Sequence, residues 1–93
     1  MRTTIPELDQ LDRLGTAYSR YDWPTWFIDR TPTGFKVDAH GVYVDHEFVR
    51  PVSGDPAAGV VCGTGSTFAE AVADANVKLT FVLAHLDTVG GAA

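Results

Sequence analysis

The last third of the chain carries apolar residues at the spacing of one face of a helix. Six of them recur at steps of three or four: Phe68, Val72, Ala75, Leu79, Val82 and Leu86. This periodicity predicts a long amphipathic α-helix. Thr67 followed three residues later by Glu70 predicts a capping box at its start, and Gly90 with Gly91 predicts its end.

This helix is apolar over more than one face. Val77, Phe81 and Leu83 widen the stripe, so we expect the helix to be buried along two sides. Asp74 and Lys78 lie four residues apart with the acid first, a spacing that favours an ion pair on an outer face.

A first helix is predicted between Pro6 and Tyr18. Proline suits the first turn of a helix, and leucines at positions 8, 11 and 14 form one stripe with Tyr18. The chain then reaches Pro24, and the residue before a proline is pushed towards an extended conformation. We therefore expect the first helix to end before this point.

The middle of the chain alternates in the manner of strands. The alternation predicts two strands, at residues 25–30 and 35–39, joined by a turn at 31–34. It predicts a third strand at residues 42–48, which is either separate from the second strand or continues it past Gly41. We favour a separate strand. Residues 50–59 hold two prolines and two glycines and predict a loop. Residues 60–62 predict a short strand before the last helix.

This order predicts an α+β fold with the arrangement α-β-β-β(-β)-α. We expect a three- or four-stranded antiparallel sheet, connected as a meander, with two helices packed on one face. The 93 residues predict a single domain spanning 1–93, with a frayed tail at 88–93.

Charge and composition narrow the classes of function. The net charge is −5, and the seven basic residues are scattered, which argues against a phosphate-backbone surface and favours a protein partner. No apolar run is long enough to span a bilayer, and the first residues lack the apolar segment of a secretion signal. We therefore expect a cytoplasmic protein without a membrane partner.

The candidate chemistry is sparse. Asp38, His40, Asp45 and His46 contain metal-ligand side chains, but their spacing favours polar residues on a solvated strand and turn. The Gly63-Thr-Gly65 segment lacks the lysine of a phosphate loop. We predict no catalytic, cofactor-binding or metal-binding residue.

The nucleophile candidates are equally weak. Ser53 and Ser66 lack the glycine pattern of a nucleophile elbow, and the single cysteine, Cys62, is predicted to be a small buried residue on a strand. We therefore expect a protein that is not an enzyme.

Aromatic residues are the stronger functional signal. Tyr18, Tyr21, Trp23 and Trp26 crowd into nine residues, and only some of them can face so small a core. One interpretation is that the cluster seals the junction of helix and sheet. The other is an exposed surface for a partner, because tryptophan and tyrosine are favoured interface anchors. The predicted partner-binding residues are Trp23, Trp26, Tyr43, Asp45, Glu47 and Phe48.

Residues 65–75 follow the phrase Gly-x-Thr/Ser-x-x-Glu-Ala-x-x-x-Ala. It resembles the start of the last helix in double-stranded-RNA-binding domains and the equivalent helix of HicB-type antitoxin domains, both of which pack a sheet on that helix. Residues 26–39 also resemble the opening hairpin of the HicB type. The general composition is similar to that of small proteins of actinobacterial phages.

Departures from these families limit what the resemblance implies. RNA-binding domains place phosphate-gripping lysines at the positions of Phe68, Ala69 and Val72, so the resemblance implies their fold and not their activity. HicB antitoxins usually add a DNA-binding segment, so the resemblance implies at most their partner-binding half.

We therefore expect a small non-catalytic protein-binding module that engages a host protein, encoded by a phage or mobile element, with a second copy of the chain as another partner. Two alternatives stay open, namely nucleic-acid binding by the RNA-domain-like fold and neutralisation of a toxin by a HicB-like antitoxin.

Overall fold

The computed structural model describes residues 6–19, 23 and 25–91. The elements are α1 Pro6–Tyr18, β1 Trp26–Thr31, β2 Gly34–Val42, β3 Val49–Val52, β4 Asp55–Gly65 and α2 Phe68–Gly91. The four strands form one antiparallel sheet in the order β1-β2-β4-β3. This confirms the α+β prediction of a helix, an antiparallel sheet and a second helix. The two glycines predicted to end α2 are its last two residues.

The strand boundaries in the middle of the chain differ from the prediction. β2 runs through Gly41 to Val42, and the rest of the segment 42–48, predicted as a strand, is irregular with a turn at 47–48. Residues 50–59, predicted as a loop, contain most of β3, a turn and the first half of β4. A loop is predicted because proline disrupts most strands. Pro51 is tolerated here because it lies in an edge strand, where its missing N–H removes no hydrogen bond to β4. The turn residue Gly54 has φ 87°, a left-handed conformation that favours glycine.

The connection is also not the expected meander. After β2 the chain passes the position of the next strand, forms β3 at the edge, and returns as β4 between β2 and β3. The lengths of the strands account for this order. The eleven-residue β4 finds eight partners along β2, whereas β3 has only four residues to offer.

The core lies between the helices and one face of the sheet. Its strand residues are Val37, Ala39, Val49 and Val61, and its helix residues are Leu11, Tyr18, Ala71, Val72, Ala75, Leu79 and Val82. The alternate strand residues point to the opposite face, which we call the far face. It carries Phe27, Lys36, Asp38, His40, Val60 and Cys62.

The predicted capping box forms at the start of α2. The Glu70 N–H donates to Thr67 Oγ1 at 3.1 Å, and the Glu70 carboxylate accepts from the Thr67 N–H at 3.2 Å. The same carboxylate also accepts from the hydroxyl and the N–H of Ser66. These bonds, led by the Ser66 hydroxyl, lower the pKa of Glu70 below its ordinary value of 4.5.

α2 packs directly on the backbone of β4 at two glycines. A Cβ on Gly63 would lie 2.6 Å from the Cα of Ala75, and a Cβ on Gly65 would lie 2.5 Å from the backbone nitrogen of Ala71. No side chain fits between these backbones. Glycine on the strand and alanine on the helix are therefore both required by the separation of the two elements.

Tyr18 joins the end of α1 to the sheet. Its ring lies over Gly41, where a Cβ would come within 2.6 Å of Tyr18 Cδ2, and its hydroxyl donates to the Val42 carbonyl at 2.8 Å. Burial raises the pKa of Tyr18 to about 12. The side chain is 1% exposed, so it forms part of the core and is not available as a surface aromatic.

The glycine contact makes a direct prediction. Gly63→Ala should destabilise the fold by about 3 kcal/mol, because the new methyl meets backbone atoms of α2 that cannot rotate away. Urea unfolding followed by circular dichroism measures this change. Gly54→Ala is the control, since a Cβ there meets open space and costs about 1 kcal/mol through its left-handed backbone alone. Equal losses in the two variants would contradict the close packing.

The capping box predicts a pH dependence. Because the pKa of Glu70 is lowered in the folded state, its charge stabilises the fold above pH 4.5, and this contribution disappears as pH falls through the lowered value. Wild type should therefore exceed Glu70→Gln in unfolding free energy at neutral pH, and the two should converge in acid. Glu47→Gln, which removes an exposed carboxylate outside the helix, should show a smaller difference.

Candidate functional site

The predicted partner-binding residues do not form one cluster, because the two tryptophans and Phe48 lie at opposite edges of the sheet. Trp23 and Trp26 lie before and at the start of β1, and Tyr43, Asp45, Glu47 and Phe48 lie in the segment between β2 and β3. β1 and β3 are the opposite edges of the sheet. The three strand spacings between these edges amount to about 14 Å, so the structure does not bring the tryptophans and Phe48 together.

The two tryptophans have different environments. Trp26 is half-buried against the core, and its indole Nε1–H donates to Asp12 Oδ1 at 2.8 Å, which joins β1 to α1. Trp23 is 58% exposed. Trp26 thus seals the junction of helix and sheet, as one of the two interpretations of the aromatic cluster expects. Tyr21 lies outside the described residues.

The segment 43–48 is held by a hydrogen bond to β4 and by one within the segment. The Tyr43 N–H donates to the Ala57 carbonyl at 3.0 Å, and the Phe48 N–H donates to His46 Nδ1 at 3.0 Å. The His46 ring also lies 5.1 Å from the His85 ring on α2. These contacts leave the side chains of Asp45 and Glu47 exposed, while Phe48 is half-buried.

Beside this segment, α2 exposes two large apolar side chains. Val77 is 54% exposed and Phe81 is 57% exposed, and the Phe81 ring lies 6.1 Å from the Phe48 ring in an edge-to-face arrangement. The prediction that α2 is buried along two sides is therefore wrong for these residues. We call Phe48, Val77 and Phe81 the α2 surface.

A groove extends the α2 surface towards α1. Its volume is about 310 Å³, and it is lined by Gln10, Ala73, Asn76, Val77, Thr80 and Phe81. The groove is therefore bounded on α2 by the apolar Ala73, Val77 and Phe81 and the polar Asn76 and Thr80, and on α1 by Gln10. Such a channel between two helices has the shape and composition of a site for apolar side chains.

The periodicity of α2 already indicates that Val77 and Phe81 lie on its outer side, which the prediction of burial along two sides overlooked. At about 100° per residue, Val77 and Phe81 fall on the side of α2 opposite the stripe that includes Ala75 and Leu79. A helix that covers one face of a sheet buries only part of its circumference. These two residues could have been assigned to the surface on that ground.

Near the α2 surface, the positive charge of Lys78 is paired, whereas the carboxylates of Asp45 and Glu47 are exposed. Lys78 Nζ lies 3.0 Å from Asp74 Oδ2 and also donates to the Cys62 carbonyl at 3.0 Å, so its positive charge is already partnered. Asp45 and Glu47 remain exposed next to His46 and Phe48. The rim of the α2 surface on this side therefore carries these two carboxylates together with the exposed Arg50, which lies beside Glu47 and Phe48.

The metal-ligand candidates stay apart. Asp38 and His40 share the far face, where His40 lies edge-to-face against Phe27 at 5.5 Å and Asp38 pairs with Lys36 at 3.4 Å. Among the described residues, no group of three or more metal-ligand side chains is close enough to hold an ion.

Cys62 is not the buried residue that the sequence predicts. It is half-buried on the far face, opposite Asp38 on the neighbouring strand. Burial raises the pKa of the Cys62 thiol, and the hydrogen bond with Asp38 raises it further. A thiol with a raised pKa is a weaker nucleophile at neutral pH.

Comparison with known proteins adds no assignment, since no protein family, curated protein or solved structure matches this chain. The likeness to double-stranded-RNA-binding and HicB-type domains therefore stays a prediction. In the described part of the chain, neither α1 nor α2 combines the length and hydropathy of a bilayer-spanning helix.

The two tryptophans should respond differently to truncation. Trp26→Ala should cost about 2 kcal/mol, because it removes a half-buried ring and its bond to Asp12. Trp23→Ala should change the free energy of unfolding by less than about 1 kcal/mol, because that ring is largely exposed. Chemical denaturation of both variants measures the difference, and a reversed order would contradict these placements.

Proposed function

We propose that this chain is a small, non-catalytic protein-binding module and that the α2 surface is its binding site. The observation that carries the proposal is the exposure of Val77 and Phe81 one helical turn apart, beside Phe48 and an open groove. Exposed apolar groups of this kind are costly in water and are typical of surfaces that a partner covers. Phe81 is the expected anchor, because aromatic side chains dominate interface energies.

The chemistry of the surface selects the kind of partner. The groove follows the α1–α2 junction and accepts apolar side chains. The exposed carboxylates of Asp45 and Glu47, in the segment that ends at Phe48, favour positive charge at the Phe48 end of the α2 surface. An amphipathic helix places apolar anchors at intervals of three and four residues and can carry lysine or arginine at its flanks. We therefore propose a basic amphipathic helical segment of another protein as the occupant.

No reaction forms part of this proposal. The polar side chains closest to the α2 surface are engaged in holding the fold, as Lys78 and Asp74 are with β4, and as His46 is with the Phe48 N–H. The surface offers an apolar area with a charged rim. An apolar area with a charged rim is typical of protein–protein interfaces and supplies no group for a chemical reaction.

The experiment uses a displayed library of helical peptides selected against the purified protein. Enriched peptides should share apolar residues at i and i+3 or i+4, together with lysine or arginine. Phe81→Asp should weaken their binding at least about tenfold, because a charge replaces the anchor. The same substitution should leave the free energy of unfolding within about 1 kcal/mol, because the side chain is 57% exposed.

Phe27→Asp is the matched control. Phe27 is a phenylalanine of similar exposure, 60%, and it lies on the far face. Binding that survives Phe27→Asp but not Phe81→Asp supports the proposal. Equal binding to Phe81→Asp, or selected peptides that lack the basic residues, would overturn it.

Nucleic-acid binding is distinguished in the same protein preparation. A gel-shift titration with duplex RNA at low and moderate salt should show no complex. A complex whose affinity falls steeply with salt would replace the present proposal by phosphate-backbone binding.

A further inference from the structure

The two edges of the sheet are protected to different degrees. On the outer edge of β3, the Val49 N–H already donates to the His46 carbonyl at 3.0 Å, and Pro51 has no N–H to donate. The ladder with β4 is also irregular between Pro51 and Val52. A short edge strand with proline, an irregular register and its donors already used is a poor template for another strand.

The part of β4 that extends beyond β3 is protected by α2. The Lys78 ammonium donates to the Cys62 carbonyl at 3.0 Å, and the Thr64 N–H donates to Asp74 Oδ2 at 2.9 Å. Lys78 and Asp74 therefore supply one donor and one acceptor at the positions where a neighbouring strand would supply them. This side of the sheet is closed to further pairing.

The outer edge of β1 lacks these devices. The His40 N–H donates to the Thr25 carbonyl at 2.8 Å, which directs the backbone groups of residue 25, and hence of 27 and 29, towards β2. The N–H and C=O groups of Trp26, Ile28 and Arg30 consequently point away from the sheet. Within residues 6–19, 23 and 25–91, no strand pairs with this side of β1.

We propose that the outer edge of β1 pairs antiparallel with β1 of a second copy of this chain, about a two-fold axis at Ile28. Trp26 of one copy then lies opposite Arg30 of the other, and the two Ile28 residues face each other. The three outward residues of each copy exchange about six backbone hydrogen bonds. The two four-stranded sheets join into one continuous sheet.

The charges of β1 select this register. Shifting the axis to residue 29 places Asp29 opposite Asp29, and shifting it to residue 30 places Arg30 opposite Arg30. Like charges directly opposite one another destabilise a strand pair. With the axis at Ile28, Arg30, whose guanidinium lies 5.5 Å from the Phe35 ring centre of its own copy, comes opposite the Trp26 indole of the other copy. There it can exchange one aromatic partner for another, close to the Asp12 carboxylate that accepts from this indole.

The axis at residue 27 is disfavoured for a different reason. It pairs only residues 26–28 of β1, so Arg30 has no partner residue within β1 and the ladder is shorter. On the far face, the axis at Ile28 places Phe27 opposite Asp29 of the other copy and diagonal to the other Phe27. Diagonal aromatic side chains reach one another across a strand pair, which would cover a ring that is 60% exposed in the single chain.

The first test measures mass and register together. Light scattering on a size-exclusion column should give twice the mass of the chain at submillimolar concentration. In a Cys62→Ser background, Phe27→Cys and Asp29→Cys chains should form a disulfide with each other when mixed and mildly oxidised, because these positions lie directly opposite. Each variant alone should cross-link at least about tenfold more slowly.

The second test removes one outward donor. Arg30→Pro deletes an N–H that β2 does not use, so the circular dichroism spectrum should stay that of the folded chain while the dimer is lost. Arg30→Ala is the matched control, because it removes the same side chain and keeps the N–H. We expect its dimer affinity to lie within about tenfold of wild type, the range that one cation–π contact spans.

Three results would overturn the proposal. The first is the mass of a single chain at submillimolar concentration. The second is that Phe27→Cys or Asp29→Cys cross-links with itself faster than with the other variant. The third is a folded Arg30→Pro protein that remains dimeric.

Discussion

The close approach of α2 to the backbone of β4 is the constraint on which the rest of the structure depends. It exists because Gly63 and Gly65 face Ala71 and Ala75, and no larger side chain fits at this separation. The contact sets the height of α2 above the sheet. That height in turn determines which side chains of the helix reach β4 and which remain outside the core.

The same contact produces both polar and apolar features of the surface. Because α2 lies so close to β4, Asp74 and Lys78 reach the backbone of the strand beyond the end of β3 and occupy its free edge. The helix turns its opposite side outward, which exposes Val77 and Phe81. Two proposed interfaces follow from this arrangement, one on the exposed side of α2 and the other at β1, the edge that α2 does not cover.

The parts of the fold that depend on neighbouring residues could be predicted. The capping box of Thr67 and Glu70 and the helix from Pro6 to Tyr18 are set by contacts within a few residues, and both are present. The strands after Val42 could not be predicted in this way. Alternation over 42–48 is compatible with a strand or a loop, and Pro51 suggests a loop unless its place at the sheet edge is known.

The sequence by itself determined the class of the fold and the ends of the helices, because periodicity and capping residues are read along the chain. Only the tertiary structure decided that β4 lies inside the sheet and that Cys62 faces away from the helices. These outcomes depend on contacts between residues far apart in the chain. A pattern of apolar residues indicates which faces of a helix or strand could be buried. Only the packing of distant elements determines which of these faces is buried in the folded protein.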